Sequence, residues 1–138
     1  MLNGISPIIP PDLLKIMDEM GHGDEIVFGD GNYPSASFAK RLVRCDGRSV
    51  TELLEAILPL FPLDPMVKQA AFVMQTPEGT PTPPVWAEYQ KVIAKYSDTE
   101  MGLEKDFYER SKKAYVIVQT GETALYANII LRKGIVKG

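Results

Sequence analysis

A chain of 138 residues with 15 basic and 18 acidic side chains, 45% hydrophobic and 24% charged, can close one core over roughly two-thirds of its unfolded surface. Its net charge of −3 argues against a general nucleic-acid binder, which shows a basic face, and no apolar run reaches the length of a membrane span. The single cysteine, Cys45, can form neither an internal disulfide nor a multi-cysteine metal site. Met1-Leu2-Asn3-Gly4 lacks the features of a secretory signal, so a reducing cytoplasm is the expected compartment.

Residues 1–138 read as a single domain punctuated by prolines, eleven in all, clustered at 7–11, 59–65 and 77–84. The first helix is expected over 11–20, where Leu13, Leu14, Ile16, Met17 and Met20 share a face, with Pro11 in its first turn and Gly21 as a left-handed terminator. Glu25 to Phe28 reads as a short strand ending in the turn Gly29-Asp30-Gly31-Asn32. Ser49-Val50-Thr51-Glu52 is a capping box that opens a helix over about 50–60. Ala70 to Met74 is a strand candidate, and 76–84 a loop. Helices are expected over Val85 to Tyr96 and Leu103 to Lys112. The β-rich runs Ala114 to Gln119 and Asn128 to Leu131 follow. This alternation indicates an α/β domain with helices on both sides of a central sheet.

His22, the only histidine, lies between two glycines just after a helix and just before a strand. An imidazole there can donate and accept a proton near neutral pH, and the glycines let a ligand approach the backbone. Asp30 stands at the far end of the short strand, either as a turn residue or as a carboxylate for paired sugar hydroxyls. The glycines of Gly21-x-Gly23 and Gly29-x-Gly31 do not form a dinucleotide fingerprint, and no metal-ligand spacing or nucleophile elbow is present. No metal and no nicotinamide or flavin cofactor is therefore expected. Cys45 reads as a small buried residue at a strand end. Trp86, Tyr89 and Tyr96 fall at helical spacing and read as packing. Tyr126, Ala127 and Asn128 lie in the segment joining the last two strand candidates. This segment is either a hairpin loop or, through its Tyr and Asn, a cradle for a polyhydroxylated ring.

Several segments occur together in one order: Ile5-Ser6-Pro7, Leu13-Leu14-Lys15, Glu19-Met20-Gly21-His22-Gly23-Asp24-Glu25-Ile26, Asp30, Asp46-Gly47, Ile57-Leu58-Pro59-Leu60-Phe61, Phe107-Tyr108-Glu109-Arg110, Thr120-Gly121-Glu122 and Tyr126-Ala127-Asn128-Ile129-Ile130-Leu131. Together they closely resemble the D-ribose pyranase / L-fucose mutarotase family over nearly the whole chain. Phe-Tyr-Glu-Arg points to the fucose branch. The resemblance implies a three-layer α/β/α fold and a cofactor-independent isomerase that interconverts the α and β anomers of a free sugar. It implies His22 as the catalytic residue and Asp30 and the segment Tyr126, Ala127, Asn128 as sugar-binding. It also implies a contact at Glu104, where the family commonly carries Arg or His. It implies a homo-oligomer as well, a pentamer-based ring or decamer. L-fucose is the expected substrate; pyranose–furanose interconversion of D-ribose and non-catalytic sugar binding are the alternatives. Asp30 is expected to orient the sugar and to support the imidazole. A domain this small has little concavity of its own, so sites completed between subunits are expected.

Overall fold

The computed structural model describes residues 1–138. In chain order the elements are α1 (Pro11–Glu19), β1 (Glu25–Gly29), α2 (Ser35–Phe38), β2 (Leu42–Cys45), α3 (Val50–Ile57), β3 (Ala71–Met74), α4 (Val85–Ile93), β4 (Met101–Glu104), α5 (Phe107–Lys113), β5 (Val116–Thr120) and β6 (Ile129–Arg132). The six strands form one sheet in the order β2-β5-β1-β6-β3-β4. β6 runs antiparallel to both of its neighbours, and every other pairing is parallel.

This inversion decides where side chains meet. Five strands deliver their carboxyl ends to one edge of the sheet, and β6 starts there. Phe28 pairs with Ile129 near that edge, and Glu25 pairs with Arg132 at the other.

The strand side chains alternate between two apolar layers, as period-2 geometry requires. Ile26, Phe28, Val116, Val118, Ile129 and Leu131 join the larger layer with Leu13, Leu53, Leu54, Ile57, Tyr89 and Ile93, beneath α1, α3 and α4. Val27, Ile117 and Ile130 point the opposite way, onto Tyr33, Phe107 and Ala114 beneath α2 and α5. The result is the three-layer α/β/α arrangement expected from the resemblance.

Local chemistry accounts for the elements the sequence reveals. The capping box at α3 is complete: the Glu52 N–H donates to Ser49 Oγ at 3.2 Å, and the Ser49 N–H donates to the Glu52 carboxylate at 2.9 Å. Pro11 occupies the first turn of α1, where a missing amide hydrogen loses no helical bond.

Several expectations are corrected. Gly21 is not a left-handed terminator: α1 stops at Glu19 with Met20 extended, and the left-handed glycine is Gly23, at φ 89°. The helix expected from Leu103 splits into an edge strand, β4, and a helix that starts at Phe107. A one-turn helix, α2, follows Pro34 unannounced. The hairpin reading of residues 120–128 also fails, because β1 lies between β5 and β6.

Candidate active site

At the carboxyl edge, Asp30 leaves β1 between the end of β5 and the start of β6. Its N–H donates to Asn128 Oδ1 at 2.7 Å, and its carbonyl accepts from Gln119 Nε2 at 2.8 Å. The neighbouring Gly29 carbonyl accepts from Thr120 Oγ1 at 2.7 Å. Side chains from the end of β5 and from the residue just before β6 thus hold the Gly29–Asp30 backbone. The Asn32 N–H donates to Asp30 Oδ1 at 2.9 Å, so Asp30 is also the turn residue that its neighbours suggest. The residue is 7% exposed, and burial pushes its carboxyl above the ordinary carboxylate range. Asn128 spends its side-chain oxygen on the Asp30 amide, which leaves the Nδ2 hydrogens for a ligand.

Tyr126 and Ala127 are held from below by α4. Trp86 Nε1 donates to the Tyr126 carbonyl at 2.8 Å, and the Tyr89 hydroxyl donates to the Ala127 carbonyl at 2.8 Å. Both aromatics pack against the core, yet each also anchors this segment, which helical spacing alone does not reveal. Tyr126 is the one non-glycine residue at positive φ, 53°. A tyrosine stays in that region only where its surroundings over-determine it, and such residues gather at binding sites. Glu122, of the Thr120-Gly121-Glu122 segment, ties the same loop down. Its carboxylate accepts the N–H groups of Thr123 and Ala124 at 3.1 Å each and that of Val50, at the start of α3, at 3.3 Å.

His22 lies at the opposite edge. β1 is five residues long, and at about 3.3 Å per residue that places it roughly 16 Å or more from Asp30 in the same chain. The imidazole is 43% exposed, and its carboxylate partner is Asp64, not Asp30: Nε2 lies 3.0 Å from Asp64 Oδ1. The expected support by Asp30 is therefore corrected within one chain. Asp64 is buried, and its other oxygen accepts from Arg132 Nε at 2.8 Å. The group comes from three places, the β1 approach, the 59–65 loop and the end of β6. Nothing in Leu63-Asp64-Pro65 marks it, because the pairing spans 42 residues of chain.

Glu104 ends β4 and faces the α5 side of the sheet, where Arg110 Nη1 lies 3.8 Å from its carboxylate. Arg110 stacks over Phe72 at 3.7 Å and pairs with Glu25, so an internal ion-pair network occupies Glu104. Cys45 is buried at the end of β2, where burial pushes its thiol up to about 11.

The family model described as the RbsD / FucU transport protein family matches residues 3–136. The fold is similar to the crystal structure of the fucose mutarotase in complex with L-fucose from Streptococcus pneumoniae, with a TM-score of 0.92 and 52% identity, covering 99% of this chain and 100% of that one. It is similar to FucU from Bifidobacterium longum, with a TM-score of 0.93 and 44% identity over 97% of this chain and 99% of the other. RbsD of Bacillus subtilis, complexed with D-ribose, is similar in fold, with a TM-score of 0.75 at 17% identity over 99% and 100% of the two chains. Matched from Asn3 to Val136 and more than half identical to a fucose mutarotase, this chain belongs to the RbsD / FucU family.

Proposed function

We propose that this protein is an L-fucose mutarotase, an isomerase that interconverts the α and β anomers of the free sugar. The observation that carries this reading is the 52% identity to a fucose mutarotase over the full length of both chains. D-ribose chemistry rests on a far more distant likeness that reaches the fold alone.

The reaction needs only protons to move. A base takes the hydrogen from O1, the C1–O5 electron pair passes to O5, and C1 becomes an aldehyde as O5 is protonated. Rotation about C1–C2 and reclosure give the other anomer. Positioned acid–base groups contribute about 10² to 10⁴-fold each, which suits a reaction with a modest barrier. His22 is the group we assign to proton transfer. Asp30, Tyr126 and the Asn128 amide hold the sugar hydroxyls on the platform that Ala127 supports from within.

The separation of these groups along β1 supports a homo-oligomer in which His22 of one protomer meets the Asp30–Tyr126–Asn128 cradle of another. A pentamer-based ring or decamer provides such contacts. No helix is long and apolar enough to cross a membrane, and the unpaired Cys45 suits a reducing cytoplasm.

NMR saturation transfer between the anomers of L-fucose, with D-ribose as a parallel substrate, tests the activity. Fast exchange of fucose that is lost in His22→Ala is expected. Tight binding without exchange would overturn the enzyme reading. Mixing His22→Ala with Asn128→Ala tests the assembly: two inactive variants that regain exchange together share a site between subunits, whereas continued inactivity would place each site within one chain.

A further inference from the structure

The His22 ring is open to solvent on one side and anchored on the other by a residue to which no role has yet been given. The Asp64 side chain is 1% exposed, and both of its oxygens are engaged. Oδ1 receives the Met66 N–H at 2.9 Å and lies 3.0 Å from His22 Nε2, while Oδ2 receives Arg132 Nε at 2.8 Å. An ionised carboxylate accepts and cannot donate, so the ring nitrogen that touches it must carry hydrogen in the neutral imidazole as well as in the cation. The guanidinium on the second oxygen favours that ionised form. Only one ring nitrogen then remains free to change its protonation.

We propose that Asp64 is the positioning residue of the mutarotase reaction, holding His22 by Nε2–H and so making Nδ1 the nitrogen that exchanges protons with the sugar. The proposal rests on the reading of His22 as the acid–base group. Nδ1 takes the proton from O1 as the C1–O5 bond opens, and returns it to O5, so that one proton moves from O1 to O5 and no net charge is left. Nε2–H stays in place throughout. The other charged groups nearby are committed elsewhere. Asp24 accepts the Gly21 N–H at 2.7 Å, Lys133 Nζ lies 3.5 Å from the Gly134 carbonyl, and Arg132 engages the far oxygen of Asp64. Asp64 is thus the carboxylate that bears directly on the ring.

His22 is the only histidine, so the ring nitrogens of ¹⁵N-labelled protein report on it without ambiguity. In the wild-type protein the neutral ring is expected to carry its hydrogen on Nε2; a hydrogen on Nδ1 would overturn the proposal without any variant being needed. In Asp64→Asn the rate of anomer exchange at saturating L-fucose is expected to fall about tenfold or more with KM little changed, because the sugar cradle is intact while the ring is no longer held by Nε2–H. An unchanged kcat, or a loss confined to KM, would reject the role of Asp64. Wild-type exchange in His22→Ala would overturn the catalytic reading and with it the proton route. That failure is distinguishable, because the tautomer would still report how Asp64 holds the ring.

Discussion

The phenol of Tyr89, on α4, donates to the carbonyl of Ala127 at 2.8 Å, and neither residue has any exposure to solvent. Burial pushes this phenol far above its ordinary range, so it is a neutral donor at any working pH. Tyr89→Phe removes one oxygen and leaves a buried carbonyl without a partner. A loss of about 1–3 kcal/mol is expected in urea denaturation, together with weaker L-fucose binding as the 126–128 segment loosens. An unchanged stability would show that the carbonyl finds another partner.

Asp64 makes the protein sensitive to acid. Burial opposes its ionised form, but hydrogen bonds from Arg132, the Met66 amide and His22 outweigh that and hold the carboxyl down to about 2, against an ordinary 3.8. A folded-state pKa below the unfolded one means that the contribution is fully present above about pH 4 and is lost as pH falls through about 2. Wild type should therefore lose stability across that window more steeply than Asp64→Asn. Parallel stability curves for the two proteins would contradict this.

Asp30 acts in the opposite sense. Burial raises its carboxyl, so the folded state binds the proton more tightly than the unfolded chain, and stability declines as pH rises through the carboxylate range. Asp30→Asn is expected to be more stable than wild type at neutral pH, with the gain shrinking toward acid, while L-fucose binding is lost. Denaturation at two pH values and a binding isotherm check both halves of this trade.

Gly121 has no room for a side chain: an added Cβ would land on the carbonyl oxygen of Asp46, and its own N–H donates to the Arg48 carbonyl at 2.9 Å. Gly121→Ala must move backbone at the end of β5. A loss of about 2 kcal/mol or more is expected, and because Glu122 follows directly, fucose exchange should fall as well. Wild-type melting of this variant would show that the loop can shift freely.

The correspondence between sequence and structure depends on range. The Ser49–Glu52 box, the apolar face of α1 and the Gly29–Asn32 turn are written within a few neighbouring residues, and each forms where its chemistry says it should. β4 escaped because an edge strand of four residues, Met-Gly-Leu-Glu, leaves one side to solvent and offers too short an alternation to oppose the helical spacing running into Phe107. Trp86 and Tyr89 read as packing because their spacing reports a helix face, not the carbonyls that face meets.

From the amino-acid order alone came the three-layer architecture, the lone imidazole between its glycines, and the resemblance that marks Asp30, Tyr126 and Asn128. Tertiary structure decided which carboxylate serves His22 and that His22 and Asp30 occupy opposite edges of the sheet. Helix caps and turns answer to neighbours along the chain, where closing a loop costs little. Asp64 meets His22 across 42 residues and Arg132 across 68, and Asp30 meets Asn128 across 98, only because β6 enters the sheet inverted between β1 and β3.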